Sequence, residues 1–390
     1  MSVKSRVAII ECSDYDQQRV DNAIKKGIDM LGGIELIFEK NEKILLKPNL
    51  LTKAAPERAV TTHPAVFEAV GKVLKEKGYE KLYYGDSPGP MGVMSKVAES
   101  CGIKQVADKL NIIEGNFNEG KEVFFDEGIT EKKFIISKGI LEADGIINIC
   151  KMKTHQLERI TGAVKNMFGA VYGINKGAFH AKYTNAESFA KLVADINNFV
   201  KPRLHIMDGI VAMEGNGPQS GTPKHMGVIL MSADPVALDS VFCNLINLKP
   251  ELVPTNRSAQ EYGVGIYEEV NIEVLTEEGI ISVREAAEKF GTTEFDVYRG
   301  TDKKTQIRVL KPFEALLEKK PYVIKERCVK CGICVNSCPL DKKALTLKEF
   351  PNYDYKLCIR CYCCQEMCPK EAIDIKIPWI VKMLDRNWKL

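Results

Sequence analysis

Nine of the thirteen cysteines fall between Cys328 and Cys368, eight of them in two runs of equal spacing. Cys328-x2-Cys331-x2-Cys334-x3-Cys338-Pro339 is followed by Cys358-x2-Cys361-x2-Cys364-x3-Cys368-Pro369. Three thiolates this close together suit three corners of one 4Fe–4S cubane on a tight loop. Zinc modules instead join two short cysteine or histidine pairs, a pattern these runs do not make. Clustered thiols in a reducing compartment read as metal ligands and not as disulfides. Cys363 lies between two members of the second run and has no place in either cluster, so it reads as a spare buried thiol. Cys12, Cys101, Cys150 and Cys243 are scattered and read as small core residues.

A second set of chemically useful residues follows the β-rich runs of the first 240 positions. Those runs are Val7–Glu11, Lys43–Leu46, Lys81–Tyr84, Gly145–Ile149, Leu204–Met207 and Gly227–Met231. After them come Lys47-Pro48-Asn49, Gly85-Asp86-Ser87-Pro88-Gly89, Lys151-Met152-Lys153-Thr154-His155, Asp208-Gly209 with Glu214 to Pro218, and Asp234-Pro235. In open α/β sheets ligands bind beyond the carboxyl ends of the strands, so these segments are expected to converge on one site. Lys151, Lys153, His155, His63, Asp208 and Glu214 are the candidate catalytic groups. Lys47, Asn49, Asp86, Ser87, Lys165, Asn166, His180, Gly215, Gly217 and Asp234 are the candidate substrate-binding groups. Lysines that fix negative charge, beside histidines and carboxylates that move protons, suit a small anionic substrate. Against this, Asp-Ser-Pro-Gly and Gly-Asn-Gly-Pro form turns on their own account, and Thr62-His63-Pro64 can serve simply as a helix entry. His205 reads as a core residue and His225 as a loop residue.

Three resemblances rest on these motifs. From Tyr322 to about Ile377 the chain resembles the bacterial two-cluster ferredoxins. The resemblance implies crossed ligation: Cys328, Cys331, Cys334 and Cys368 on one 4Fe–4S cluster, and Cys358, Cys361, Cys364 and Cys338 on the second. It also implies strands near Tyr322–Lys325, Leu345–Thr346 and Ala372–Ile375, with a short helix after each cysteine loop. From about Lys43 to Ser240 the motifs above, with Thr62-His63-Pro64, Lys165-Asn166-x2-Gly169 and Asp234-Pro-x3-Asp239, resemble the family catalogued as domain of unknown function 362. Members of that family often carry a two-cluster ferredoxin module; the resemblance implies architecture and leaves the substrate open. A fainter resemblance, of Thr-His-Pro and Gly-Asp to the nickel-pincer lactate racemase group, leaves a nickel cofactor disfavoured.

Positioning such residues calls for alternating strands and helices. The expected fold is an α/β N-terminal region with a mostly parallel sheet (residues 1–315, motifs from about 43 to 240). A small α+β ferredoxin-type domain (320–377) and a tail (378–390) follow, with the boundary near Lys311 to Lys325. Pro64 to Gly78 places Val66, Ala69, Val70, Val73 and Leu74 on one helical face. A net charge of +3 over 390 residues excludes nucleic acid as a default partner. No apolar stretch reaches the roughly 18 residues of a membrane span, so a cytoplasmic location is expected. Membrane contact through Trp379, Ile380, Met383 and Leu384 of the tail is disfavoured, since one short segment with few anchors binds weakly. No Gly-x-Gly-x-x-Gly follows a strand, which disfavours a dinucleotide and leaves an unmarked flavin or another metal open.

The favoured reading is an iron–sulfur oxidoreductase that passes low-potential electrons through two 4Fe–4S clusters to a small anionic substrate in the α/β domain. The alternative is an electron carrier or adaptor that docks a partner oxidoreductase and has no catalytic site. Either needs a redox partner protein. Protein purified without oxygen is expected to hold about eight iron and eight acid-labile sulfides per chain, as two cubanes require; near two irons, or stoichiometric zinc, would refute the assignment. Cys338→Ala should damage the cluster of Cys358, Cys361 and Cys364; Mössbauer spectra showing loss at its own run would overturn crossed ligation.

Overall fold

Period-two burial organises the larger region. On strand β1 (Ser5–Glu11), Ala8 and Ile10 pack into one apolar cluster while Val7 and Ile9 pack into another. A strand covered on both faces has no side to spare for water, and helices therefore lie on both sides of the sheet. The computed structural model describes residues 4–89, 92–173, 175–300 and 318–379. Residues 301–317 and 380–390 lie outside it, and with them much of the expected boundary and nearly all of the tail.

The remaining strands of the main sheet are β2 (Ile44–Pro48), β3 (Leu82–Tyr84), β4 (Ile113–Glu114), β7 (Gly145–His155), β8 (Arg159–Thr161), β9 (Leu204–Glu214), β10 (Thr222–Ser232), β11 (Ile272–Thr276) and β12 (Gly279–Ile281). A separate hairpin joins β5 (Gly120–Phe124) to β6 (Lys133–Ser137). The main order is β12-β11-β1-β10-β9-β7-β2-β3-β4, with β8 paired to β7. From β9 through β4 every neighbour pair is parallel, whereas β10 runs antiparallel to both β9 and β1. The mostly parallel α/β sheet is therefore present. Helix Pro64–Glu76 buries the five apolar residues expected of it.

Two expectations are corrected here. Lys151 to His155 and Asp208 to Glu214 do not follow their strands; they are the outer halves of β7 and β9, each eleven residues long. Hairpin pairing of β7 with β8, and of β9 with β10, satisfies backbone groups past the parallel core and lets the strands run on. Asp234 stands at the opposite edge of the sheet. Ser232 pairs with His205 at the start of β9, so the end of β10 points away from the ends of β2, β3, β7 and β9. There Asp234 caps helix Pro235–Leu245, accepting from Val236 N and Ala237 N at 2.8 and 2.9 Å.

The cysteine-rich module pairs β13 (Lys320–Val323) with β16 (Ile373–Lys376) and β14 (Leu345–Leu347) with β15 (Pro351–Tyr353). A one-turn helix follows each cysteine loop, at Ile333–Asn336 and Cys363–Glu366. The module seats on the carboxyl edge of the main sheet. Gln365 Nε2 donates to Asn216 O (2.8 Å), Gln219 Nε2 to Cys368 O (3.1 Å), and Arg58 pairs with Glu371.

A buried polar network ties the strand ends beneath that contact. Lys151 and Asp208 are register partners on β7 and β9, and Lys151 Nζ donates to Asp208 Oδ2 at 2.7 Å. Tyr15 OH donates to Asp208 Oδ1 (2.8 Å), and His63 N donates to Oδ2 (3.0 Å). The His63 ring stacks on Tyr15 at 3.5 Å, and its Nδ1 caps the helix by accepting from Ala65 N. Burial pushes the His63 imidazole down to about 4. Asp208→Ala would leave a Lys151 ammonium that is 1 % exposed without its counterion. Unfolding free energy should fall by about 3–5 kcal/mol, read from urea denaturation. Lys151→Met/Asp208→Leu should recover most of it, and an unchanged midpoint for Asp208→Ala would show that the network holds nothing.

Candidate functional site

On β7 the side chains of Lys151, Lys153 and His155 share one face, and each step of two residues advances about 6.6 Å toward the strand end. The three therefore meet different surroundings. Lys151 is enclosed in the network of Tyr15 and Asp208. Lys153 lies past a register irregularity against β9. Its Nζ donates to Asn49 Oδ1 and Val60 O, both at 2.7 Å. His155 reaches the cysteine-rich module, with Nε2 3.1 Å from Glu366 Oε1. Leu157 N and Glu158 N both donate to His155 Nδ1 at 3.1 and 3.2 Å. The neutral ring thus carries its proton on Nε2, facing Glu366. That N–H is not aligned as a hydrogen bond, and Glu366 Oε1 retains an open position.

Lys153 and His155 help wall a cavity of about 90 Å³, room for several waters or a small ligand. Asn49, Asp86, Ser87, Lys165, Asn166 and His180 line it from the α/β region along with Lys153 and His155. Lys176, Thr161, Phe168, Gly169, Leu50, Leu51, Gly89 and Pro218 complete that side, and Cys363, Glu366 and Met367 close it from the cysteine-rich module. Lys47 sits behind the wall, paired with Asp86 Oδ1 at 2.9 Å and donating to Asn166 O at 2.7 Å. Leu50 N donates to Asp86 Oδ2 at 2.8 Å. A Cβ on Gly169 would fall 2.0 Å from Asp86 Oδ1, so only glycine lets the chain pass this pair.

The charges lean positive. Asp86 is matched by Lys47 and Glu366 is the other lining carboxylate, while Lys153, Lys165 and Lys176 have no carboxylate within 4 Å among the described residues. Lys176 Nζ is held by the Ser87 and Pro88 carbonyls. Lys165 Nζ lies 5.1 and 5.3 Å from the ring centroids of Phe168 and Phe189. Burial, with the Lys165 charge added, pushes Lys153 down to about 7; burial does the same to Lys176. Burial also lowers His155, and takes His180 down to about 3. Burial works to raise the Glu366 carboxyl, but His155 and Lys165 outweigh it and hold it below the usual carboxylate range. Thr161 Oγ1, His180 Nδ1 and Glu366 Oε1 are buried lining atoms without a hydrogen-bond partner.

The other candidates lie elsewhere. Lys151, His63 and Asp208 belong to the closed network. Glu214 accepts from Asp296 N at 2.8 Å, and Gly215 N donates to Asp296 O. Gly217 passes so close to Thr154 that a Cβ would meet its carbonyl oxygen at 2.3 Å; it offers its own carbonyl toward Gln365. Sequence reasoning missed Tyr15, although it follows the first strand as Asn49 and Asp86 follow theirs. It also missed Lys176, on helix Asn175–Lys182, whose position marks neither a strand end nor a motif, and Glu366, an unspecified position inside the second cysteine run. His205 is fully buried as expected, while exposed His225 sits in β10 at an irregularity in its pairing, not in a loop. Cys12, Cys101, Cys150 and Cys243 are buried in the core.

A second, largely apolar cavity lies within the cysteine-rich module. Cys328, Cys331, Cys334 and Cys368 line it together with Val323, Ala372 and Ile373. The last cysteine of the second run thus stands with the first three of the first. Lys330 and Gly332 in one loop, and Arg360 and Tyr362 in the other, repeat left-handed backbone at matching positions, with φ of 60° and 75°, then 59° and 62°. Such turns aim successive amides at an anionic centre. Ala372 N donates to Cys368 Sγ at 3.2 Å. These residues fit 4Fe–4S clusters. Among the described residues no three His, Cys, Asp or Glu side chains converge tightly enough for a single metal ion, and a cubane with separated corners needs no such point. No helix among them is long and apolar enough to cross a membrane.

Residues 44–244 match the family model described as a domain of unknown function, DUF362, and residues 320–373 match a 4Fe-4S dicluster domain. A thylakoid-associated protein of Synechocystis sp. is 33 % identical over 263 residues, 67 % of this chain and 80 % of that protein. The lactate racemase apoprotein from Thermoanaerobacterium thermosaccharolyticum has a TM-score of 0.35 and 11 % identity, over 57 % of this chain and 54 % of that one, and carries no weight for function. The α/β sheet, the motifs on its edge and the extent of these matches make the chain a member of the domain of unknown function 362 family, with a 4Fe–4S ferredoxin-type domain packed on it.

Proposed function

We propose that the chain is a cytoplasmic iron–sulfur oxidoreductase whose cavity between sheet edge and cysteine-rich module binds a small anionic substrate. Cys328, Cys331, Cys334 and Cys368 hold one 4Fe–4S cluster and Cys358, Cys361, Cys364 and Cys338 a second. When bound, the clusters supply one-electron transfer at low potential. The observation that carries the anion is the unbalanced charge: three lysines face the cavity without a carboxylate partner, two of them buried. A buried ammonium held only by neutral oxygens is stabilised by any anion that reaches it.

Within this reading Lys153, Lys165 and Lys176 fix the negative charge. Thr161 Oγ1 and His180 Nδ1 offer hydrogen-bonding positions beside it. His155 presents a proton on Nε2, its ring oriented at Nδ1 by Leu157 N and Glu158 N, with Glu366 adjacent on the opposing domain. Leu51, Phe168 and Met367 keep bulk water from the lysines, strengthening each charge interaction. Thirteen cysteines, none of them in a disulfide, accord with a reducing, cytoplasmic compartment. The thylakoid association in the relative's name makes peripheral membrane attachment the competing location.

Inorganic sulfate, whose charge is constant near neutrality, tests the site. An anion favours the charged lysines and raises their pKa. Binding therefore takes up protons above about pH 7, the value to which burial brings Lys153 and Lys176. Affinity measured by calorimetry without oxygen should fall as pH rises from 6 to 8.5. Lys165→Met should weaken binding at pH 6 tenfold or more, about 1.4 kcal/mol, at unchanged iron content. Sulfate binding indifferent to pH and to this substitution would remove the anion site.

A further inference from the structure

The two cysteine loops face different surroundings. Around the second, Cys361, Cys363 and Cys364 are buried, and Gln365 is bonded to Asn216 of the α/β region. In the first loop Cys331 is exposed and Val329 beside it is 56 % exposed. The cavity walled by Cys328, Cys331, Cys334 and Cys368 is also lined by Lys330 and Lys370, and no acidic side chain lines it. Lys325 and Arg327 are exposed on the chain leading into it. Glu326 is the one carboxylate in that lead-in, and none of the four cations forms an ion pair among the described residues. Lys325 and Lys330 stand over the Phe350 ring, 5.6 and 4.5 Å from its centroid, which places their charge without neutralising it.

We infer that this face docks the acidic surface of a one-electron carrier protein. The inference rests on the reading that the four cysteines hold a cluster, and is independent of the anion cavity. The charge pattern selects the partner: an uncompensated basic rim around a redox-bearing loop attracts a surface whose carboxylates surround its own redox centre, and speeds encounter by 10- to 1,000-fold at low salt. Among the described residues the large apolar side chains exposed around this loop are Val329 and Leu347, 45 % exposed and against Gly332, with Tyr322, 38 % exposed, on the lead-in strand. Those are too few anchors for insertion into lipid.

The test uses the full chain, purified without oxygen, with an acidic bacterial ferredoxin as probe and a basic cytochrome c as control. The acidic probe should bind in surface plasmon resonance with an association rate that falls steeply between 20 and 300 mM salt. Lys330→Glu/Lys370→Glu, and separately Lys325→Glu/Arg327→Glu, should each slow association about tenfold or more with iron and sulfide contents unchanged. Association that ignores both reversals, or equal binding of cytochrome c, would overturn the inference. So would reversal-sensitive capture of the wild type by phosphatidylglycerol vesicles without ferredoxin binding, which would assign the face to a lipid surface. Full iron content with no ferredoxin binding sinks the docking face alone, whereas absence of iron in the wild type sinks the cluster reading.

Discussion

A lysine ammonium that leaves water must be met by oxygen, and the edge of this sheet is organised around four that have done so. Lys47, Lys151, Lys153 and Lys176 are all at most 6 % exposed. Lys47 and Lys151 each have a carboxylate, Asp86 and Asp208. Among the described residues the other two are held by neutral oxygens, the Asn49 side-chain amide with the Val60 carbonyl and the carbonyls of Ser87 and Pro88. Neutral dipoles hold a cation in place but leave its field uncancelled, so the cavity keeps a positive potential in a region from which water is partly excluded.

Sheet direction decides which residues share that potential. Strands β2, β3, β7 and β9 run parallel and bring Asn49, Asp86, Lys153 and His155 to one edge. On β10 the direction reverses, and Asp234 goes to the far edge to cap a helix. Pairing past the parallel core extends β7 far enough for His155 to touch the neighbouring domain. The same extension encloses Lys151 four residues earlier, where its register partner Asp208 takes its charge.

The cysteine-rich module is a wall of the site as well as a carrier of sulfur ligands. Its helix Cys363–Glu366 supplies Cys363, a thiol outside both runs, and Glu366, the carboxylate nearest His155. Gln365 on the same helix is fully buried against Asn216 and Gly217, so the helix that follows the second cysteine loop is fixed to the end of β9. The lysines and histidines of the cavity thereby lie beside one cysteine loop, while the other faces solvent.

Local features were legible in the amino-acid order. Ligand spacing within a loop of eleven residues is a local constraint, so the cysteine runs declared their chemistry; the helix beginning at Pro64 showed itself by its apolar period and proline entry, and the strands by their β-branched runs. Strand ends marked Asn49, Asp86, Ser87, Lys153 and His155 because parallel strands share one edge. Non-local facts were not legible. That Lys151 is enclosed and Lys153 open depends on what β9 places opposite each of them. Asp234 is remote because β10 runs antiparallel, a direction its own residues do not encode. Lys176, Thr161, Glu366 and Cys363 join the cavity only through packing between segments distant in the chain, and only the tertiary structure could bring a carboxylate at position 366 against a histidine at position 155.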